Sequence, residues 1–211
     1  MLKFISEASS YLFQNWIAII ALLFSYITYK RNSIKLDVDI QKSSKWILSM
    51  LCDDGSSVIN ENGLIHANIK IINSSNFDIG FFNLCVFESK NGSRELNYYR
   101  NSQFHIFNDL VDRKAISVLA PNREQYGLNL PDASFGTIKA RSMTSIDIVV
   151  APDDDEITGL YIAFKTTKSR SKLFKPSHGF VNSPYEQYSQ SVLVEGASKP
   201  DYHSILSVLN D

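Results

Sequence analysis

The sequence has little of what marks an enzyme or a metalloprotein. Its 211 residues include two cysteines and four histidines, with neither an H-E-x-x-H nor a C-x-x-C motif. It also lacks a G-x-S-x-G motif, a phosphate-binding loop and a dinucleotide-binding fingerprint. These absences favour a protein that is not an enzyme and that uses no metal or other cofactor.

The chain also lacks an excess of charge of either sign. Its 21 lysines and arginines stand against 22 aspartates and glutamates, for a net charge of −1. A nearly neutral chain argues against nucleic acid binding through bulk electrostatic attraction. No long repeat or low-complexity tract is present, so the roughly 180 residues after the first 31 are expected to form one domain.

One uncharged apolar segment runs from Leu12 to Tyr29, and Lys30 and Arg31 follow it at once. It has about 18 residues, close to the length that a helix needs to cross the roughly 30 Å hydrocarbon core of a bilayer. Aromatic residues near both of its ends suit membrane interfaces. We therefore predict an uncleaved, single-pass transmembrane anchor in residues 1–31. A cleaved signal peptide and a buried core helix are the alternatives.

Positive charges are unevenly placed around this segment. Lys3 is the lysine before it, whereas five basic residues follow closely: Lys30, Arg31, Lys35, Lys42 and Lys45. Lysine and arginine concentrate on the cytoplasmic side of membrane proteins. The asymmetry predicts the N-terminus outside and the domain in the cytoplasm, with Lys30, Arg31 and Lys35 as juxtamembrane residues. The alternative is that these long side chains extend to whichever membrane surface is near them and do not indicate the orientation.

The rest of the chain has the short alternating segments that are typical of strands. Strands are predicted at 34–41, 65–71, 77–87, 145–150 and 160–165. Asn91-Gly92 predicts a hairpin that returns residues 96–99 antiparallel to the preceding strand. The remaining predictions are a short helix or an edge strand within 112–119, a strand at 172–174, an irregular segment at 176–200 and a short helix at 204–209.

Many short strands and few helices favour an antiparallel β-sandwich. Four features follow one another along the chain: an alternating strand, the Asn73-Ser74-Ser75 turn, the strand at 77–82 and a late strand at 145–150. In this order of features the chain resembles small bacterial single-pass membrane-anchored proteins with an immunoglobulin-like β-sandwich domain. The segments 161–167 and 172–175 complete the resemblance, which covers about residues 34–175. It implies the fold and the anchor but no activity.

The expected organisation is therefore mainly β. An N-terminal flank and transmembrane anchor occupy residues 1–31, an immunoglobulin-like sandwich 32–182, and a C-terminal tail with a short helix 183–211.

Single side chains add few candidates. Cys52 and Cys85 lie in apolar segments, which favours free, buried thiols; one disulfide is the alternative. His66 occupies a polar position of an alternating strand and is expected to face solvent. The acidic residues 153–156 are consecutive and contain no glycine, so a solvated connection is favoured over a calcium site.

A basic ridge is the strongest electrostatic feature. It comprises Lys165, Lys168, Arg170, Lys172 and Lys175. Alternate residues of an extended segment share a face, and such a face suits anionic lipid or nucleic acid phosphates. The alternative is a solvated hairpin tip.

The sequence as a whole favours a non-enzymatic binding or scaffold module that is tethered to a membrane and recruits a protein partner. Tyrosine buries interface area at low entropic cost, and the candidate partner contacts are aromatic: Tyr98, Tyr99, Phe104, Tyr185 and Tyr188. Core packing explains these residues equally well. The alternative function is a membrane-anchored sensor or effector of a bacterial defence or phage-exclusion system that binds nucleic acid or an anionic ligand through the basic ridge.

Overall fold

The computed structural model describes residues 14–31, 33–89, 94–106, 114–152, 157–167 and 185–195. The helices there are α1 (Trp16–Arg31) and α2 (Asn101–Ile106). The strands are β1 (Leu36–Ile40), β2 (Ser43–Ile47), β3 (Ser49–Cys52), β4 (Ser57–Val58), β5 (Leu64–Asn73), β6 (Ile79–Glu88), β7 (Glu95–Leu96), β8 (Ala115–Leu119), β9 (Gln125–Gly127), β10 (Gly136–Ile138), β11 (Ser142–Val150), β12 (Gly159–Thr167) and β13 (Tyr185–Glu195). The protein is mainly β, as the sequence predicts.

Helix α1 covers most of the segment for which a transmembrane anchor is predicted, and that prediction is wrong. No helix in the described part of the chain is both long and apolar enough to cross a membrane. α1 has 16 residues, which at 1.5 Å per residue is about 24 Å, less than the roughly 30 Å hydrocarbon core. Its apolar side chains are exposed, as at Ile17 (67%) and Leu22 (70%).

Nine strands form a large sheet in the order β1-β5-β2-β13-β12-β6-β10, with β11 also paired to β5 and β7 to β6. Strand β11 lies along one edge of β5, while β1 and β2 lie in succession along its other edge. Strands β13 and β2 run parallel, with Leu193 opposite Ser43. The sheet is therefore mixed, and the predicted antiparallel immunoglobulin-like sandwich is wrong.

The large sheet curls until its two margins meet. Tyr98, which follows β7 on one margin, forms a bridge with Val150 of β11 on the other. The Tyr99 N–H also donates to the carbonyl of Val149 at 2.8 Å. Because side chains alternate along strands, one face of each strand points into the curl and forms the main core, which includes Ile65, Ile69, Ile148, Ile162 and Phe164.

Close packing in this core depends on one glycine. The rings of Phe81 and Phe164 meet edge to face at 6.3 Å between centroids. Gly136 of β10 lies opposite Phe81, and a Cβ at Gly136 would lie 2.6 Å from Phe81 Cε1. A side chain at this position would displace the Phe81 ring from the core.

Four strands form a small sheet in the order β4-β3-β8-β9. It packs on one end of the outer face of the large sheet through a second apolar cluster, which contains Ile47 and Leu64 from the large sheet and Met50 and Val118 from the small one. Cys52 is buried in this cluster, whereas Cys85 lies half-buried in β6. Neither Cys52 nor Cys85 is part of a disulfide, so the alternative of one bridge between them does not hold.

Most predicted strands are confirmed, within a few residues at their ends: those at 34–41, 65–71, 77–87, 145–150 and 160–165. Strand β7 also pairs antiparallel with β6, as the hairpin signal predicts. Within 112–119 the chain forms strand β8, which pairs on both edges and is therefore not an edge strand. The predicted irregular segment 176–200 is wrong at residues 185–195, which form β13. The predicted elements at 172–174 and 204–209 lie outside the described residues.

Candidate functional site

The outer face of the large sheet carries a polar patch on neighbouring strands. His66 and Asn68 of β5 point outward, because their neighbours along the strand are buried in the core. The register of β11 places Asp147 opposite Asn68, and Ser145 opposite Lys70. Strands β5 and β11 therefore bring these polar side chains together on one surface.

Asp147 is the centre of this patch and accepts three hydrogen bonds. His66 Nε2 lies 2.9 Å and Asn68 Nδ2 2.7 Å from its Oδ1, and the backbone N–H of Asn129 lies 2.7 Å from its Oδ2. The side chains of His66 and Asp147 are only 11% and 9% exposed. Because an ionised carboxylate only accepts hydrogen bonds, the imidazole donates through Nε2.

These contacts decide the charge of the carboxylate. Burial alone raises the pKa of Asp147, but the hydrogen bonds from His66, the Asn129 N–H and Asn68 outweigh it and hold the pKa below its ordinary value. Asn68 Nδ2 also donates to Ser145 Oγ at 2.8 Å, which fixes the orientation of the amide. The patch is thus an ionised, hydrogen-bonded network whose geometry is set before anything binds.

Strand β9 of the small sheet forms a wall beside this network. The Tyr126 ring lies 5.7 Å from the His66 ring, between centroids, at an interplanar angle of 57°. Burial, and to a smaller extent the Asp147 carboxylate, raises the pKa of the Tyr126 hydroxyl. Between this wall and β1, β5 and β11 lies an open polar recess of about 410 Å³, within the size range of small-ligand sites. Asp39, Gln41 and Lys70 complete its lining.

This recess is not apparent from the sequence. The expectation that His66 faces solvent is wrong, because the small sheet covers that end of β5 and leaves little of the side chain exposed. One signal was present: His66, Asn68 and Lys70 occupy successive polar positions of one strand, and Ser145 and Asp147 those of another. Their pairing depends on strand register, which the alternation alone does not specify.

A second feature lies between β1 and β13. One edge of β13 pairs with β12 from Tyr185 to Leu193, whereas its other edge pairs with β2 from Leu193 to Glu195. β1 precedes β2 and approaches β13, but in the described ranges no strand pairs with the second edge of β13 before Leu193. We call these facing edges of β1 and β13 the open seam.

Backbone groups of β13 point alternately to its two sides. The Leu193 N–H points to the seam side and donates to the carbonyl of Lys42 at 3.0 Å. The Val194 N–H points to the opposite side and donates to the carbonyl of Thr158, just before β12, at 3.1 Å. By this alternation, the N–H and C=O groups of Gln187, Ser189 and Ser191 point into the open seam.

The predicted contact residues of β13 lie beside the seam. Tyr185 is 43% exposed, and its ring meets Phe82 edge to face at 4.8 Å between centroids. The Tyr188 ring is half-buried and stacks on Phe164 at 5.3 Å. Tyr185 is therefore accessible to a partner, whereas Tyr188 serves in part as core.

The other predicted contact residues lie elsewhere. Tyr98 is buried and its hydroxyl donates to the carbonyl of Leu84 at 3.1 Å; burial raises its pKa to about 12. Tyr99 packs half-buried against the second cluster. Phe104 belongs to α2, and its side chain lies outside what the structure describes. Tyr98 is thus a core residue, and core packing, the alternative role predicted for these aromatic residues, holds for it.

The structure describes little of the basic ridge. Lys165 lies half-buried on β12, opposite Gln187 of β13. The other four residues of the ridge, like the acidic residues 153–156, lie outside the described ranges. Of the predicted juxtamembrane residues, Lys30 and Arg31 end helix α1 and Lys35 is exposed before β1. The location of the domain relative to a membrane depended on the predicted anchor and stays a prediction from the sequence.

Comparison with known protein families and with curated proteins finds no match to this chain. These comparisons do not test the resemblance to membrane-anchored immunoglobulin-like proteins, although the anchor and the antiparallel sandwich that it implied are wrong. The candidate sites rest on the geometry described above.

Proposed function

We propose that this chain is a non-enzymatic binding module that recruits a protein partner by adding an extended segment of that partner to the open seam. The observation that carries the proposal is the seam-side edge of β13. Among the strands that the structure describes, this edge pairs with β2 from Leu193 to Glu195 and with no strand before Leu193. An unpaired strand edge is a ready template for another strand, and strand addition is a common mode of peptide recognition. The membrane anchor of the sequence analysis forms no part of this proposal.

The backbone supplies the attraction. Gln187, Ser189 and Ser191 present alternate N–H and C=O groups to the seam, and an added strand would pair with them. Each hydrogen bond of this kind contributes about 0.5–1.5 kcal/mol net. Backbone pairing alone is tolerant of sequence, so the partner's side chains must supply the specificity.

Apolar side chains beside the seam supply that specificity. Leu36 and Val38 of β1 and Tyr188 of β13 are partly buried against the main core. Tyr185, farther along β13, is exposed. A partner segment with apolar residues at alternate positions would cover Leu36, Val38 and Tyr188 on the core-facing side, since alternate residues of a strand share a face.

A proline substitution at an outward-pointing backbone position tests the proposal. Ser189→Pro removes an N–H that faces the seam and leaves the β12 ladder intact, because the ladder to β12 uses the neighbouring even-numbered residues. Ser189→Ala is the matched control, since it alters the side chain and keeps the N–H. A photo-reactive residue at the exposed position Gln187 reports what lies in the seam in intact cells.

We expect a cross-linked protein partner in the parent and in Ser189→Ala, and its loss in Ser189→Pro at unchanged thermal stability. Equal cross-linking of the partner in all three proteins would contradict the proposal. Cross-linking within the chain alone would contradict it too, because the seam would then be filled by the protein's own residues.

The alternative function, a sensor of nucleic acid or another anion at the basic ridge, stays a prediction, because Lys165 is the ridge residue that the structure describes. No described contact favours it over the open seam.

A further inference from the structure

The polar recess on the outer face of the large sheet is separate from the open seam. Its floor is formed by outward-facing residues of β5 and β11, and its wall by Tyr126 and Gly127 of the small sheet. The seam lies on the other edge of β1, toward β13. What binds in the recess is therefore independent of the proposed strand addition.

The recess holds charged groups of both signs. The Asp147 carboxylate contacts His66, and Asp39 lies opposite Lys70 in the β1–β5 register, where oppositely charged neighbours attract. A simple anion would meet Asp39, and a simple cation would meet Lys70. The recess thus disfavours a strongly charged ligand and offers both donors and acceptors.

We propose that the recess binds a neutral, hydroxyl-rich small ligand with the size and chemistry of one sugar residue. Hydroxyl groups both donate and accept hydrogen bonds, which matches a lining that mixes carboxylate, amide and ammonium groups with an imidazole. The Tyr126 ring gives the wall an apolar surface for the C–H groups of a sugar, beside its polar hydroxyl. The volume of about 410 Å³ accommodates one such ring.

The recess is also organised in advance. Asp147 holds His66 and Asn68 in place through hydrogen bonds of 2.9 and 2.7 Å, so a ligand would not have to order these side chains itself. Ser145 lines the recess from the same outward face of β11 as Asp147. A larger side chain at Ser145 therefore extends into the recess.

Ligand-observed NMR on the full chain tests the proposal with four probes: glucose, galactose, mannose and N-acetylglucosamine. A ligand of this size typically reaches a Kd of about 1 mM, so each sugar is titrated to about 10 mM. Ser145→Leu fills part of the recess from β11, and Gln41→Ala removes one lining amide. Thr137→Leu places the same leucine at an exposed position of β10, away from the recess, and serves as the control.

We expect at least one sugar to bind the parent protein and Thr137→Leu with equal affinity. Ser145→Leu should weaken that binding more than tenfold, and Gln41→Ala by up to about tenfold, as expected for one lost hydrogen bond. The proposal is overturned if none of the four sugars binds, if Ser145→Leu binds as well as the parent, or if acetate or guanidinium binds at the recess more tightly than every sugar.

Discussion

Replacing Asp147 with alanine tests the hydrogen-bonded network beneath the recess. The substitution leaves three donors without their acceptor: His66 Nε2, one hydrogen of the Asn68 amide and the Asn129 N–H. An unsatisfied buried donor costs about 1–3 kcal/mol, and water entering the recess can replace part of what is lost. We expect Asp147→Ala to lower the free energy of unfolding by about 3 kcal/mol.

Urea denaturation and thermal melting measure this loss. For a domain of this size, about 3 kcal/mol corresponds to a fall in Tm of roughly 6–12 °C, with an unchanged urea m-value. Ser145→Ala is the matched control on the same strand, because it removes the hydroxyl that accepts one hydrogen bond from Asn68, and it should cost about 1 kcal/mol.

The difference in unfolding free energy between the parent and Asp147→Ala should also depend on pH, which gives a second measurement. The native contacts hold the pKa of Asp147 below its ordinary value, whereas in the unfolded chain it is about 3.9. The extra stability is therefore present in full above pH of about 4 and is lost as the pH falls through the lower, folded-state pKa. The difference in unfolding free energy between the parent and Asp147→Ala should stay constant from about pH 7 to 5 and become smaller below about pH 4. A difference under about 1 kcal/mol at neutral pH, or a difference that becomes larger in acid, would refute the reasoning.

Three further predictions concern the core, the thiols and α1. Phe164→Ala should cost about 3–5 kcal/mol in urea denaturation, because the ring is fully buried; a loss below about 1.5 kcal/mol would be inconsistent with that burial. Cys85 should react with a disulfide reagent at pH 8 more slowly than free cysteine, because burial raises its pKa, and Cys52 should react only after unfolding; rapid labelling of either native thiol would argue against this. Removing residues 1–32 should leave the Tm within about 2 °C of the parent, since the side chains of α1 belong to neither core cluster; a large fall in Tm would show that α1 packs on the sheets.

Alternation in the sequence was enough to locate the main strands and their buried faces. Ile65, Ala67 and Ile69 are buried and Lys70 is exposed, as the pattern of β5 predicts. The pattern fails at His66 because β9, sixty residues along the chain, covers the outer face there. Burial of an outward-facing residue depends on which distant segment packs over it, and local periodicity carries no such information.

Strand β13 was missed for a different reason. Residues from Glu186 to Ser191 are mostly polar and exposed, so they lack the apolar alternation of a half-buried strand. Backbone pairing with β12 holds them extended. The open seam was hidden for the same reason, since an unpaired edge is a property of the sheet and not of any one segment.

The parallel pair formed by β2 and β13 also bears on the order of folding. It joins Ser43–Lys45 to Leu193–Glu195, and β13 is also the strand that connects β2 to β12 in the large sheet. During synthesis, the two halves of the sheet can already meet at the Tyr98–Val150 bridge, but they are joined through β13 only after Glu195 has left the ribosome. Contacts so distant in sequence slow folding, and strand edges left unpaired meanwhile are prone to aggregation. Nascent chains of this protein should thus rely on chaperones most heavily just before β13 emerges.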